Sequence, residues 1–338
     1  MPLEFEGYST EDEDENMKKQ SFINCFTNNL FILTEGAIGQ RIEREFYIVP
    51  DKDIMYAGLI YNSKGRKALE TLYRQYLQIA QDYALPIMLM TNTRRANKER
   101  VERSIFYNRN IMYDYTKFLY ELSQEYSCET YIGGMMGCRG DAYSGEEGLS
   151  IEEALEFHAW QANAFKLTQI DFMFAGIMPS LPEAIGMAKT MEQLDHPYII
   201  SLMIDRNGRI LDGHSIHEAI NEIDNATTKQ KPLCYMTNCV HPEILREALG
   251  QTINSTVLVR ERFCGIQANA SNLNPSELDL TMELKTSSAT ELTQQFMRLY
   301  KKFPIKICGG CCGTDNTHIK ELAIQLKGTL NDWKLEQA

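Results

Sequence analysis

Short apolar runs alternate along this chain with segments whose apolar residues fall at helical spacing. Phe31-Ile-Leu-Thr34 reads as a first strand, with a helix starting at Gln40 to Glu45. Leu69, Leu72, Tyr76, Ile79 and Ala80 give a helical stripe between Gly65 and Tyr83; Pro86 breaks the chain before the strand Ile87-Met-Leu-Met90. A long helix is predicted from Lys98 to Glu125, then a strand at Thr130-Tyr-Ile132 running into Gly133-Gly134. Ser150 with Glu153 is a capping-box pair opening a helix to about Leu167. Strands follow at Asp171–Ala175, Tyr198–Ile204, Pro232–Met236, Cys264–Ala268 and Ile305–Ile307, separated by helices at Pro182–Leu194, Ser215–Ile223, Pro242–Leu249 and Ser288–Lys301. The strands lack clean polar alternation, as strands do when a parallel sheet is covered on both faces. Eight strand–helix units, spaced by roughly 30 to 50 residues, predict an α/β fold: a (β/α)8 TIM barrel forming one domain over residues 21–338. An open doubly wound sheet is the rival, but no GxGxxG or Walker sequence accompanies it.

Composition narrows the function classes. A formal charge of -12 argues against nucleic acid and against an anionic membrane surface as partners. No apolar run has the length of a membrane-spanning helix. Residues 1–20, with the run Glu11 to Glu15, read as a flexible acidic tail and carry no signal- or transit-peptide pattern. Nine cysteines without a secreted-scaffold rhythm are expected to be reduced thiols in a cytoplasmic protein.

The candidate chemistry sits at the last strand. Gly309 and Gly310 end it, Cys311 and Cys312 follow, then Gly313, and Thr314 or Asp315 caps the final helix. Adjacent side chains of a regular strand point to opposite faces, but flanking glycines open backbone angles that let two thiolates converge on one ion. Cys239, in Tyr235-Met-Thr-Asn-Cys-Val-His-Pro242, supplies a third sulfur past another predicted strand. Three thiolates suit a soft ion such as Zn2+ with one position left open. The plainer readings are two buried thiols, a vicinal disulfide, or a closed structural zinc with His241 or His318 as fourth ligand. Cys308 lies within the strand and reads as packing. The polar loop Cys138-Arg-Gly-Asp-Ala-Tyr-Ser-Gly-Glu-Glu147 places Arg139 and Asp141 where they touch either substrate or solvent.

From about Leu33 to Leu326 the chain resembles the homocysteine S-methyltransferase family. The resemblance rests on Gly309-Gly-Cys-Cys-Gly-Thr314 and Asn238-Cys239. Weaker echoes are Glu35-Gly-Ala37, Thr91-Asn-Thr93, Leu211-Asp-Gly213 and Ala268-Asn-Ala270. It implies a zinc-dependent barrel that moves a methyl group onto a thiol, with Cys239, Cys311 and Cys312 as metal ligands. Glu35, Thr91, Asn92 and Asn238 are the expected substrate contacts, Glu35 holding the thiol amino acid and Asn238 orienting it. Glu35 stands where the family usually carries Asp, and Met236-Thr237 where it carries Gly before the Asn-Cys pair. Gly176 stands where the family's glutamate binds the amino group of homocysteine. The acceptor is therefore expected to be homocysteine or a related thiol. The donor is left open among S-methylmethionine, S-adenosylmethionine, a betaine, and a methylated corrinoid or folate. No carrier domain lies within these residues, so a methyl-carrier protein would be a separate partner. Two other readings are a lyase or hydrolase holding a phosphorylated metabolite on the Gly309–Gly313 loop, and a non-catalytic zinc- or thiol-binding barrel.

Overall fold

A computed structural model describes residues 21–145, 148–273 and 287–337 of the chain. The expected acidic tail lies outside these residues. Eight parallel strands close into a barrel in sequence order: β1 (Ile32–Thr34), β2 (Ile87–Met90), β3 (Thr130–Gly137), β4 (Phe172–Met178), β5 (Tyr198–Leu202), β6 (Cys234–Val240), β7 (Phe263–Ala268) and β8 (Ile307–Gly310). The closure runs through β1 and β8, where Ile32 pairs with Ile307 and Leu33 with Cys308.

Alternation along each strand sorts the side chains into two layers. Ile32, Met88, Met90, Phe172, Phe174, Ile199, Met236 and Ile307 fill the barrel interior. Leu33, Ile87, Leu89, Ile200 and Tyr235 face the surrounding helices. A helix over residues 21–28, α1, plugs the N-terminal end of the barrel: Phe22 stacks on Phe172 with centroids 4.5 Å apart. Toward the opposite end the interior turns polar. Gln267 Nε2 donates to Thr34 Oγ1 at 3.0 Å, and Ser201 Oγ donates to Asn238 Oδ1.

The helices in chain order are α2 (Gly39–Phe46), α3 (Ser63–Tyr83), α4 (Lys98–Arg103), α5 (Ile111–Ser123), α6 (Ile151–Phe165), α7 (Leu181–Met191), α8 (Ile216–Ala226), α9 (Pro242–Gly250), α10 (Val257–Arg262), α11 (Ala289–Tyr300) and α12 (Asn316–Gln337). Ser150 and Glu153 form the expected capping box at α6.

The single helix expected from Lys98 to Glu125 is instead two, α4 and α5. Ser104 breaks it: its hydroxyl donates to Val101 O and accepts from Phe106 N, competing with the helical ladder. Phe106 then leaves the helical path to stack on Tyr61, in space that a side chain at Gly58 would fill. Strand β6 also runs further than expected and takes in Asn238 and Cys239. The extra length is accommodated by a bulge, because the register with β7 shifts between Asn238 and Val240.

Candidate metal centre

Three sulfurs meet at the C-terminal tips of β6 and β8. The Sγ atoms of Cys239, Cys311 and Cys312 all lie within 4.8 Å of one another. Cys239 reaches this point through an unusual backbone: its φ is 64°, in the left-handed region that non-glycine residues rarely adopt. Such strain persists only where surrounding contacts over-determine it, and it gathers at functional sites. Here the β6 bulge supplies the constraint. Cys311 and Cys312 leave β8 through Gly309 and Gly310, whose missing side chains admit Thr34 and Thr314. A Cβ on Gly309 would stand 1.9 Å from Thr34 Oγ1, and one on Gly310 2.3 Å from Thr314 Oγ1. Gly313, with φ 79°, turns the chain back into α12.

Electrostatics within the cluster are asymmetric. Hydrogen bonds from the Cys311 and Cys312 thiols favour the thiolate at Cys239 and hold it well below the ordinary thiol range. The same contacts push Cys311 well up and Cys312 up to about 12. Tyr143 covers the cluster, with Oη 2.9 Å from Cys239 Sγ and 4.0 Å from Cys312 Sγ. Burial and the neighbouring cysteines hold its phenol well above its usual range. Asp141 shapes the loop that delivers it, because Asp141 Oδ1 accepts from Tyr143 N at 2.6 Å and Ser144 N at 2.9 Å. Sequence reasoning singled out Asp141 in this loop but missed Tyr143; no spacing rule marks a tyrosine that must reach from β3 to β6. Asn269, beyond β7, lies with Nδ2 3.6 Å from Cys239 Sγ.

Neither histidine completes a four-ligand site. His241 caps α9, its Nδ1 accepting from Glu243 N. His318 is held by Asp315 Oδ1 at 2.8 Å and Ser287 O at 3.1 Å. Among the described residues the ligand group is the three cysteines alone. The loop after β8 does not offer a phosphate cradle either. The amides of Gly310, Cys311, Gly313 and Thr314 are donated to Glu35 O, Ala268 O, Gln40 Oε1 and Cys311 O.

The expected substrate residues fall in two places. Asn238 is on the interior face beneath the sulfurs, its Oδ1 accepting from Ile177 N at 3.0 Å and from Ser201 Oγ. It thereby pins a second bulge, in β4, where Ile177 has φ 57° and Gly176 precedes it. Glu35, Thr91 and Asn92 brace the rim of β1 and β2. Thr91 Oγ1 accepts from Met135 N at 2.9 Å. Asn92 Nδ2 donates to the hydroxyls of Tyr73 at 2.7 Å and Tyr115 at 2.9 Å. Glu35 follows Thr34 and turns toward the helix layer, where it acts electrostatically on Tyr73, Tyr76 and Tyr115. Its Oε1 accepts from Met90 N at 3.3 Å and its Oε2 is buried without a partner. Burial pushes the carboxyl up to about 8. The structure therefore brings the three cysteines together, sets Asn238 under them, and holds Glu35 and Asn92 at the tips of β1 and β2 through Met90 N and the hydroxyls of Tyr73 and Tyr115. Arg139 is exposed, with its amide donated to Glu183 Oε1.

Comparison with known proteins agrees with this arrangement. A family model described as homocysteine S-methyltransferase matches residues 32–326. Among solved structures, the homocysteine methyltransferase MmuM from Escherichia coli is similar in fold. Its metallated form has a TM-score of 0.67 at 16% identity, covering 91% of this chain and 99% of that one. Its oxidized form has a TM-score of 0.65 at 16% identity, covering 88% and 97%. No functionally curated protein matches the chain by sequence.

Proposed function

Taking as premise that the chain belongs to the homocysteine S-methyltransferase family, we propose that Cys239, Cys311 and Cys312 hold Zn2+ and that a methyl group is moved onto the sulfur of homocysteine or a related thiol. The chain is an S-methyltransferase with a closed eight-stranded barrel. The observation that carries the metal reading is the convergence of three sulfurs on one point, achieved at the expense of a left-handed Cys239. The donor set fits the ion: sulfur is a ligand that zinc prefers, and three protein ligands leave one position for a substrate. Zinc held there supplies the positive charge that keeps an acceptor thiol deprotonated near neutral pH, where a free thiol with pKa near about 8.5 is mostly protonated.

The protein's own residues do the rest by positioning. Asn238 fixes the floor under the sulfurs and the neighbouring β4 bulge. Tyr143 covers the cluster from the β3 side and limits the water that reaches it. Glu35, Thr91 and Asn92 hold the β1 and β2 tips in place around the mouth. In the reaction the acceptor gives up its S–H proton to solvent. A sulfur lone pair then forms the new S–CH3 bond as the bond from methyl to donor breaks, and the donor leaves with that electron pair. Holding sulfur and methyl carbon in line is the barrel's main contribution to rate. The donor is an activated methyl compound, either free or carried by a separate methyl-carrier protein. A reducing compartment, the cytoplasm, suits a site built from unpaired thiols. No helix among the described residues is long and apolar enough to cross a membrane.

The test is direct. Reduced, zinc-loaded protein is incubated with homocysteine and, separately, with S-methylmethionine, S-adenosylmethionine, betaine or a methylated folate or corrinoid, and methionine is measured. The reading expects methionine with at least one donor. No methylated thiol from any donor with homocysteine or simpler thiols would contradict it.

A further inference from the structure

The mouth of the barrel contains a cation that binds none of the described residues. On β3, a Cβ added to Gly133 would meet the ring of Phe172, which belongs to the barrel interior, and one added to Gly134 would meet Phe165 of α6. By alternation, Gly137 at the strand's C-terminal end also faces the interior. The space its side chain would occupy is filled by Arg94, whose Cγ stands 2.3 Å and Cδ 3.0 Å from the position of that Cβ. The Arg94 side chain thus crosses from the tip of β2 into the barrel mouth, on the side away from the cysteines of β6 and β8.

Among the described residues its guanidinium has no acceptor there. Arg41, Arg74, Arg206 and Arg262 each reach a carboxylate. Arg95 and Arg100 donate to backbone carbonyls, of Gly140 and Asp53. Arg94 is half-buried as they are, yet among the described residues it has neither a hydrogen bond nor an ion pair. A guanidinium stays charged at any ordinary pH and offers five N–H donors in a fixed fork, so leaving it half-buried and unpaired is costly. Charges of both signs lie nearby: Arg94, Arg100 and Asp141 all act on Arg95, and Glu183 and Asp141 act with Arg94 on Cys138, but neither carboxylate forms an ion pair with Arg94. Tyr56 lies within electrostatic reach of both Arg94 and Cys312, which links the two sides of the mouth. Glu43 takes the Tyr56 hydroxyl as its partner and forms no ion pair with Arg94.

Resting on the thiol-acceptor reading above, we propose that Arg94 binds the carboxylate of the acceptor. The acceptor then spans the mouth, with its sulfur at Cys239, Cys311 and Cys312 and its carboxylate in the Arg94 fork. Two parallel N–H···O bonds from a guanidinium to a carboxylate fix direction as well as distance. Arg94 selects acidic thiols over neutral ones of the same length.

The test compares homocysteine with homocysteine amide, whose carboxylate is replaced by an uncharged carboxamide. Binding to zinc-loaded wild type, Arg94→Met and Arg94→Lys is followed by calorimetry, with zinc content measured on each. Wild type is expected to prefer homocysteine. Arg94→Met is expected to weaken homocysteine by roughly 10- to 100-fold, the factor a charge-assisted hydrogen bond supplies. The amide's affinity and the zinc content should be unchanged, and Arg94→Lys should recover part of the loss. Equal loss for both thiols in Arg94→Met, or no loss for either, would overturn the assignment while leaving the methyltransferase reading in place. If zinc-loaded wild type binds neither thiol, the acceptor reading fails and this inference falls with it.

Discussion

Replacing Glu35 with glutamine isolates the energetic effect of one buried carboxyl. Burial holds that carboxyl up at about 8, from an ordinary value of 4.5, and among the described residues Oε2 has no hydrogen-bond partner. The sign follows from proton counting. Between pH 4.5 and 8 the folded chain keeps a proton on Glu35 that the unfolded chain has released, so stability falls as pH rises through this window. At about 1.4 kcal/mol for each pH unit, ionising Glu35 withdraws up to about 5 kcal/mol by pH 9. Glutamine keeps an oxygen to accept from Met90 N and carries no charge to bury. Urea unfolding of metal-free, reduced wild type and Glu35→Gln at pH 5, 7 and 9 reads the difference. The two proteins are expected to lie within about 1 kcal/mol at pH 5, the range of a neutral hydrogen-bond exchange. At pH 9 the variant should be several kcal/mol the more stable. Two curves that stay parallel across the window would refute the reasoning, because the carboxylate would then have water or a cation beside it.

Two further substitutions probe the scaffold of the centre. Gly309→Ala puts a methyl group 1.9 Å from Thr34 Oγ1. Urea unfolding should show a loss of about 1–3 kcal/mol from overpacking, and metal analysis a loss of zinc as Cys311 and Cys312 shift. Asp141→Ala removes the acceptor that folds the Tyr143 loop. Steady-state kinetics should show KM for the thiol raised several-fold, with zinc content unchanged, because Asp141 touches no sulfur.

The barrel was legible because strand and helix differ so plainly in period. The runs at Phe31–Thr34 and Ile87–Met90 and the stripe from Leu69 to Ala80 could be assigned from spacing alone. The break between α4 and α5 was less visible: apolar spacing continues across it, while a single hydroxyl at Ser104 and the stacking of Phe106 on Tyr61 interrupt the helix. The cysteine triad was legible from glycines that bracket Cys311 and Cys312 and from a second cysteine motif of like setting. The strain at Cys239 was not, since a positive φ within the run Cys234–Val240 leaves no local signature and depends on the register against β7. Tyr143 and Arg94 were missed for a related reason. Each works by reaching across the mouth to elements distant in sequence, and which way a loop side chain leans is decided by tertiary packing. Glu35 shows the converse: its motif was plain in the sequence, but the burial of its carboxyl beside Met90 N, near Tyr73, Tyr76 and Tyr115, depends on tertiary packing.

The central claim is that three thiolates from two strands form one zinc site. Elemental analysis of the protein purified under reducing conditions, beside Cys239→Ser, Cys311→Ser and Cys312→Ser, tests it most directly. The account predicts one zinc per chain in wild type and its loss in each variant, with the barrel's circular dichroism retained. Reduced wild type that carries no zinc and takes up none, or variants that keep the full amount, would contradict it.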